Sequence, residues 1–247
     1  MIRSCYLLFA FLAIQGSVVM GFIENCDADK CRDLKLMREL ERIDWLPTTE
    51  EQLDTFCPPV LKLLQCGIES IQECTGKGII ELSTTDNKTA AAIGHGILSI
   101  RNILTDICTP GTQFRENYLS SISCVKDLVM DPEPTMKCYQ EGHAVFATYE
   151  QSKALLGNSV EVKENESLCL VTAYTLACFT SELHDTCGEV ARKTFLDTLK
   201  RFQSFKWNDC AEANIRNLKN EFLEFLELEE QQRTIFSSVF ELKKRRK

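Results

Sequence analysis

The sequence predicts an all-α protein: a disulfide-stapled helical bundle in two packed lobes, built from a duplicated six-cysteine unit and followed by a long C-terminal helix. Three observations predict it. Apolar residues recur at intervals of three and four through most of the chain, which is the period of a helix. A cysteine triad occurs twice, as Cys57, Cys66 and Cys74 and again as Cys169, Cys178 and Cys187, each within a segment of that period. The chain opens on an apolar leader, which directs it to a compartment where disulfides persist.

The triads fix the logic of the staples. Residues nine apart on one helix are separated by roughly 13 Å along the axis and point to opposite faces, whereas a disulfide needs Cα atoms within about 7 Å. Consecutive triad cysteines therefore cannot bond to each other on one helix. Each triad must be tied outward, to Cys26, Cys31 and Cys108 in the first half and to Cys124, Cys138 and Cys210 in the second. Which sulfur joins which stays open at this level, within six arrangements per half.

Residues 1–21 read as a secretory signal: Arg3, an apolar run from Tyr6 to Val19, and small residues Val19 and Gly21 at the cleavage positions. Cys5 leaves with it, so twelve of the thirteen cysteines remain, all twelve expected in disulfides. Metal spacing is a poor alternative, since zinc sites want close cysteine pairs in twos and only Cys26 and Cys31 approach this. The leader aside, no transmembrane segment is expected, and the mature chain is expected to be soluble and extracellular.

Charge excludes one function class. Without Arg3, 27 basic residues face 36 acidic ones, and five of the basic ones are the last five, Lys243 to Lys247. An acidic body of this kind repels phosphate backbones, so no nucleic-acid partner is expected.

In chain order, Leu34, Leu36, Met37, Leu40 and Ile43 mark a first helix ended by Trp45, Leu46 and Pro47. Thr48 and Glu51 have the form of a capping box opening a short helix. Pro58 and Pro59 suit the first turn of a new helix, which carries the first triad and stops at Gly76 and Gly78. Residues 83–89 form a polar loop with the glycosylation sequon Asn87-Lys88-Thr89. Helices are predicted over about 89–108 and 113–130. Asp131-Pro132-Glu133-Pro134 is the candidate boundary between lobes of about 22–130 and 135–210, because two prolines stop the preceding helix and favour extended backbone.

A helix from Cys138 to Gly157 follows, then a loop leading to the second sequon, Asn165-Glu166-Ser167. The second triad rides the next helix, ended by Gly188, and another runs from Val190 to Phe205. Residues 211–242 contain neither glycine nor proline and alternate apolar and acidic residues. They predict one long amphipathic helix folding back over the bundle, the sharper alternative being a helix facing a partner or membrane.

Chemistry is sparse. No Gly-x-Ser-x-Gly, His-Glu-x-x-His or phosphate loop is present, and no catalytic residue, cofactor or metal site is expected. His95, between Gly94 and Gly96, reads as part of a close helix contact; His143 lies one turn from Tyr139. His184-Asp185-Thr186-Cys187 resembles the His-Asp-x-Cys segment of secreted phospholipases A2, in which the histidine activates water and the aspartate holds calcium. Thr180 and Ser181 stand where that motif has paired cysteines, so the enzyme is a remote alternative.

A broader resemblance rests on the cysteine triad, on Tyr118-Leu119 through Cys124, and on Cys178 through Cys187-Gly188-Glu189-Val190-Ala191. Over roughly residues 57–210 the chain resembles arthropod secreted cysteine-rich proteins of the 27 kDa haemolymph glycoprotein type, and in pattern a nematode secreted domain of unknown function. The resemblance implies a helical, disulfide-stapled extracellular glycoprotein with no catalytic residues. The expectation is a non-enzymatic binding or carrier protein, its partner a small apolar ligand. The alternative is a secreted effector or venom-type protein acting on a protein partner.

Overall fold

The computed structural model describes residue 31 and residues 46–155, 164–202 and 215–240, without the side chains of 88, 164–166, 215–218 and 240. The leader, Cys26, Cys210, the helix expected over 34–43 and the basic tail lie outside the described residues. Among the described residues there are eight helices and no strand: α1 Glu50–Thr75, α2 Ile79–Ser83, α3 Lys88–Cys108, α4 Gln113–Met130, α5 Pro132–Leu155, α6 Glu164–Arg201, α7 Ile215–Phe225 and α8 Glu230–Phe240. The fold is all-α and disulfide-rich. The chain divides into two compact units, residues 1–130 and 131–247.

In the first unit the capping box is shifted by one residue from the expected place. Thr49, not Thr48, is the N-cap of α1, accepting from the Gln52 amide, while the Thr48 amide donates to Gln52 Oε1 at 2.7 Å. Pro58 and Pro59 do not begin a helix; they lie inside α1, which runs unbroken for 26 residues. Each removes one backbone donor. The helix persists because both flanks are anchored: Leu53, Phe56 and Cys57 before the prolines pack with Leu104 and Ile107 of α3 and Tyr118 and Leu119 of α4, and Ile68 and Ile71 beyond them pack with Ile79, Leu82 and Ala90. Gly76, at φ 67°, ends α1 by donating its amide to the Gln72 carbonyl, a left-handed cap that glycine takes without steric cost.

α2 lies on α3 at unusually short range. A Cβ built on Gly94 would sit 2.5 Å from the Ser83 amide nitrogen and 2.8 Å from its Cα. Close helix packing accounts for this glycine, as expected from its place beside His95.

Arg115, on α4, was not singled out by sequence reasoning. Its side chain is 5% exposed, donates from Nη1 to the Ile107 carbonyl at 3.1 Å and from Nη2 to Asp54 at 3.2 Å. It thereby satisfies a carbonyl of the last turn of α3, which has no partner within its own helix, and places a cation at the negative end of that helix. Arg115→Met is expected to lower stability by about 2 kcal/mol, the cost of leaving a buried acceptor unmade. A shift of the urea midpoint at unchanged slope would show it; an unshifted midpoint would contradict the assignment.

In the second unit the boundary residues do not form an extended linker. Asp131 accepts from the Glu133 amide through its carboxylate, and α5 begins at Pro132. Both prolines fall in its first turn, where a missing donor costs nothing. α5 and the first part of α6 are antiparallel neighbours: Cys138 bonds Cys178, Gly142 lies against Tyr174 and Thr175, and Phe146 packs with Leu170 and Val171. Gly188, at φ 81° and ψ −178°, breaks α6 into two arms, as its place after the second triad predicts.

The expected single C-terminal helix is two. α7 and α8 are joined by a turn in which Glu227 takes φ 47° and donates to the Glu224 carbonyl. Burial explains the break. Phe222 and Leu223 on one arm and Phe236 and Val239 on the other are all buried against Leu176, Ala177, Leu196 or Tyr149, and a straight rod would not put both sets on one core. Glu227, Glu229 and Glu230 crowd the turn; the bend keeps them at the solvent edge, where like charges cost least.

Among the described residues three staples have the predicted outward form. Cys31 bonds Cys66, Cys57 bonds Cys108 and Cys138 bonds Cys178, with Cα separations of 5.5 to 5.7 Å. Cys74, Cys124, Cys169 and Cys187 are also disulfide-bonded. The middle sulfur of each triad is tied to the cysteine preceding the triad, Cys31 in one unit and Cys138 in the other. A positive-φ glycine follows each triad, Gly76 after Cys74 and Gly188 after Cys187.

Candidate functional site

The aromatic side chains of the second unit converge where α5, α6 and the α7–α8 hairpin meet. On α5, Phe146 and Tyr149 are three residues apart and so share a face. Tyr149 meets Phe222 and Phe225 of α7 edge-on, each at 5.3 Å between centroids, the geometry that ring quadrupoles favour. Tyr174 meets Phe236 of α8 in the same way at 5.4 Å. Leu170, Val171, Leu223 and Leu226 fill between them.

One polar group closes the edge of this cluster. Lys153, one turn beyond Tyr149 on α5, pairs with Glu221 of α7, and its ammonium stands 5.6 Å from the centre of the Tyr149 ring. The Tyr149 hydroxyl donates to the same carboxylate at 3.5 Å. Burial pushes the tyrosine hydroxyl's pKa up, and the hydrogen bond to Glu221 pushes that of Lys153 up, so the ammonium stays charged at neutral pH. Burial likewise raises Tyr174.

A second polar group stands at the Gly188 break. Glu189 receives both nitrogens of the Arg192 fork at 2.6 Å, with Lys193 at 3.4 Å, while His184 Nδ1 stands 3.3 Å away without a hydrogen bond. The Arg192 hydrogen bonds hold the Glu189 carboxyl down to about 2. His184 also meets the Gln231 amide of α8 at 3.0 Å. Because the folded pKa of Glu189 lies below its unfolded value, its contribution is complete above about pH 4.5 and is lost as pH falls toward 2. The group is 42% exposed, so the effect is small. Acid unfolding followed by circular dichroism is expected to show Glu189→Gln narrowing its stability deficit between pH 4.5 and 2; parallel curves would count against the pairing.

The residues singled out from the sequence are scattered. Tyr139 and His143 touch edge to face at 4.5 Å on the exposed side of α5. His95 is half-buried on α3. His184 faces Glu189 and Gln231, while Asp185 beside it is exposed; among the described residues no group of three or more histidine, cysteine or acidic side chains is placed to hold a metal ion. Asn87 is exposed and caps α3, its Oδ1 accepting from the Ala90 amide at 3.0 Å; its Nδ2, the atom a glycan takes, is not used by that bond. Asn165 lies in the first turn of α6.

Sequence reasoning missed the Tyr149–Lys153–Glu221 group because its members come from stretches some 70 residues apart. Glu189 with Arg192 and Lys193 was readable, since three- and four-residue spacings face each other on a helix. No helix among the described residues is long and apolar enough to cross a membrane. No family of known proteins, no curated protein and no solved structure matches the chain.

Proposed function

We propose that this chain is a secreted, non-enzymatic glycoprotein that binds and carries a small apolar ligand in an extracellular fluid, in keeping with the haemolymph-type resemblance of its cysteine pattern. The observation that carries the reading is the composition of the second unit's interior. Phe146 and Tyr149 of α5 gather with Phe222 and Phe225 of α7, and the α7–α8 segment follows the last cysteine of the chain, Cys210. No disulfide therefore lies within that segment.

Disulfides support an oxidising, extracellular destination, and the exposure of Asn87 supports glycan attachment there. The engagement of His184 with Glu189 and Gln231, and of His143 with Tyr139, supports a non-catalytic role for both. A second reading, an effector acting on a protein partner, draws on the exposed apolar side of α5, where Met136 and Tyr139 are each about half exposed.

Native mass spectrometry of the chain secreted from eukaryotic cells tests the proposal. The expected result is a mature chain with glycans at Asn87 and Asn165 and a co-purifying apolar molecule. A ligand-free protein that takes up no apolar probe would overturn the carrier reading. Calcium-dependent release of fatty acid from phospholipid vesicles would overturn the non-enzymatic one.

A further inference from the structure

We propose that the apolar ligand is a long-chain carboxylate, lodged in the second unit between the α5–α6 pair and the α7–α8 hairpin, with its head on Lys153 in place of Glu221. The inference rests on the carrier reading above and gives that reading a site and a ligand class.

The existing contact has the order of groups that such a ligand has. α7 presents a carboxylate, Glu221, to Lys153 and the Tyr149 hydroxyl, and next to it an apolar body, Phe222 and Phe225, to the Tyr149 ring. A fatty carboxylate offers the same sequence of chemistry: an anionic head that accepts from an ammonium and a hydroxyl, then a chain that lies on aromatic and aliphatic side chains. Lys153 runs beside the rings, its ammonium 5.6 Å from the centre of Tyr149 at an exposed edge. There an anionic head meets an ammonium and a hydroxyl donor together, a charge-assisted pair that a lone surface lysine does not offer.

No disulfide lies within the hairpin itself. Cys138–Cys178 keeps α5 and α6 paired, while 211–247 contain no cysteine. Two of the hairpin's polar latches are Glu221 on Lys153 and Tyr149, and Gln231 on His184. A ligand head that takes Lys153 releases the first latch. Its chain then replaces, against Phe146, Leu170 and Val171, the apolar area that α7 gives up, so burial lost on one side is regained on the other.

The test is equilibrium binding of palmitate and of its neutral-headed counterpart 1-hexadecanol to the full disulfide-bonded chain, read by native mass spectrometry, with hydrogen exchange over 215–240. Saturable palmitate binding with altered exchange in that segment is expected. Lys153→Met is expected to weaken palmitate about ten-fold, the worth of one hydrogen bond to a charged group, with hexadecanol unchanged. Glu221→Gln is expected to tighten palmitate by removing the competing carboxylate. Helix content of both variants by circular dichroism keeps misfolding apart from a binding effect. Palmitate bound equally by wild type and a folded Lys153→Met would overturn the site while leaving the carrier reading standing. Hexadecanol bound without palmitate would overturn the ligand class. Binding of neither would overturn the proposal together with the carrier reading.

Discussion

Replacing Cys138 and Cys178 together by alanine is expected to destabilise the second unit by about 3–4 kcal/mol. The bond closes a span of 40 residues, and removing a cross-link of that length returns roughly this much entropy to the unfolded chain. Packing adds to it, because Cys138 is fully buried and two alanines leave a gap between α5 and α6. Removing both cysteines avoids a lone thiol that would exchange with other bridges.

Cys31→Ala with Cys66→Ala is the informative comparison. That bond spans 35 residues, so its entropic share is nearly the same, but both of its cysteines are only half-buried, as Cys178 is, and neither matches the full burial of Cys138. Urea unfolding followed by circular dichroism is expected to show a larger loss for the Cys138–Cys178 pair. Equal losses would mean that chain entropy alone sets the value of these bonds, and a loss under about 1 kcal/mol for Cys138–Cys178 would contradict its role as the tie between α5 and α6. The same burial difference predicts that limited reductant opens Cys31–Cys66 first.

The second large effect is expected at Gly94. Gly94→Val places a branched side chain where even a Cβ overlaps backbone atoms of Ser83 and Leu82. Backbone cannot rotate away as a flexible side chain can, so α2 must lift from α3. That exposes Ile79 and Leu82, both now buried. A loss of about 3 kcal/mol is expected, at the upper end for inserting bulk into a packed contact, read as a lower melting temperature. Gly67→Ala is the control: it sits in the middle of α1 with nothing within 4 Å of its would-be Cβ. There alanine is expected to stabilise by about 0.5–1 kcal/mol. Loss at Gly67 or tolerance at Gly94 would invert the packing assigned to the two glycines.

Much of the fold was legible because its signals are local. The period of Ile93, Ile97, Ile100 and Leu104 marks α3, and α4 falls on the expected residues, 113–130. Gly76 and Gly188 announced where the triad helices end or bend, since a left-handed residue is cheap only for glycine. The outward direction of the staples followed from helix rise alone. The misreadings have one cause in common. Pro58 and Pro59 were given their local preference, a helix start, but packing on both sides of them holds a continuous helix; residues 211–242 were given theirs, one rod, but burial of two apolar faces on one core bends it.

The candidate site was less legible. Tyr149 and Phe222 were each readable as core positions, yet nothing in the sequence joins them. Lys153 and Glu221 are ordinary surface charges until the fold sets them side by side.

By itself, then, the sequence determined helices, their glycine ends and the rule that consecutive triad sulfurs do not bond each other, because each depends on spacings within a few turns of chain. Only the tertiary structure decided which sulfurs meet, that Arg115 finishes α3, that α2 rests on Gly94, and that the C-terminal segment folds into a two-armed cover over the aromatic rings. Those outcomes depend on distances between residues far apart in the chain, which are set when helices compete to bury their apolar faces, and local periodicity does not encode that competition.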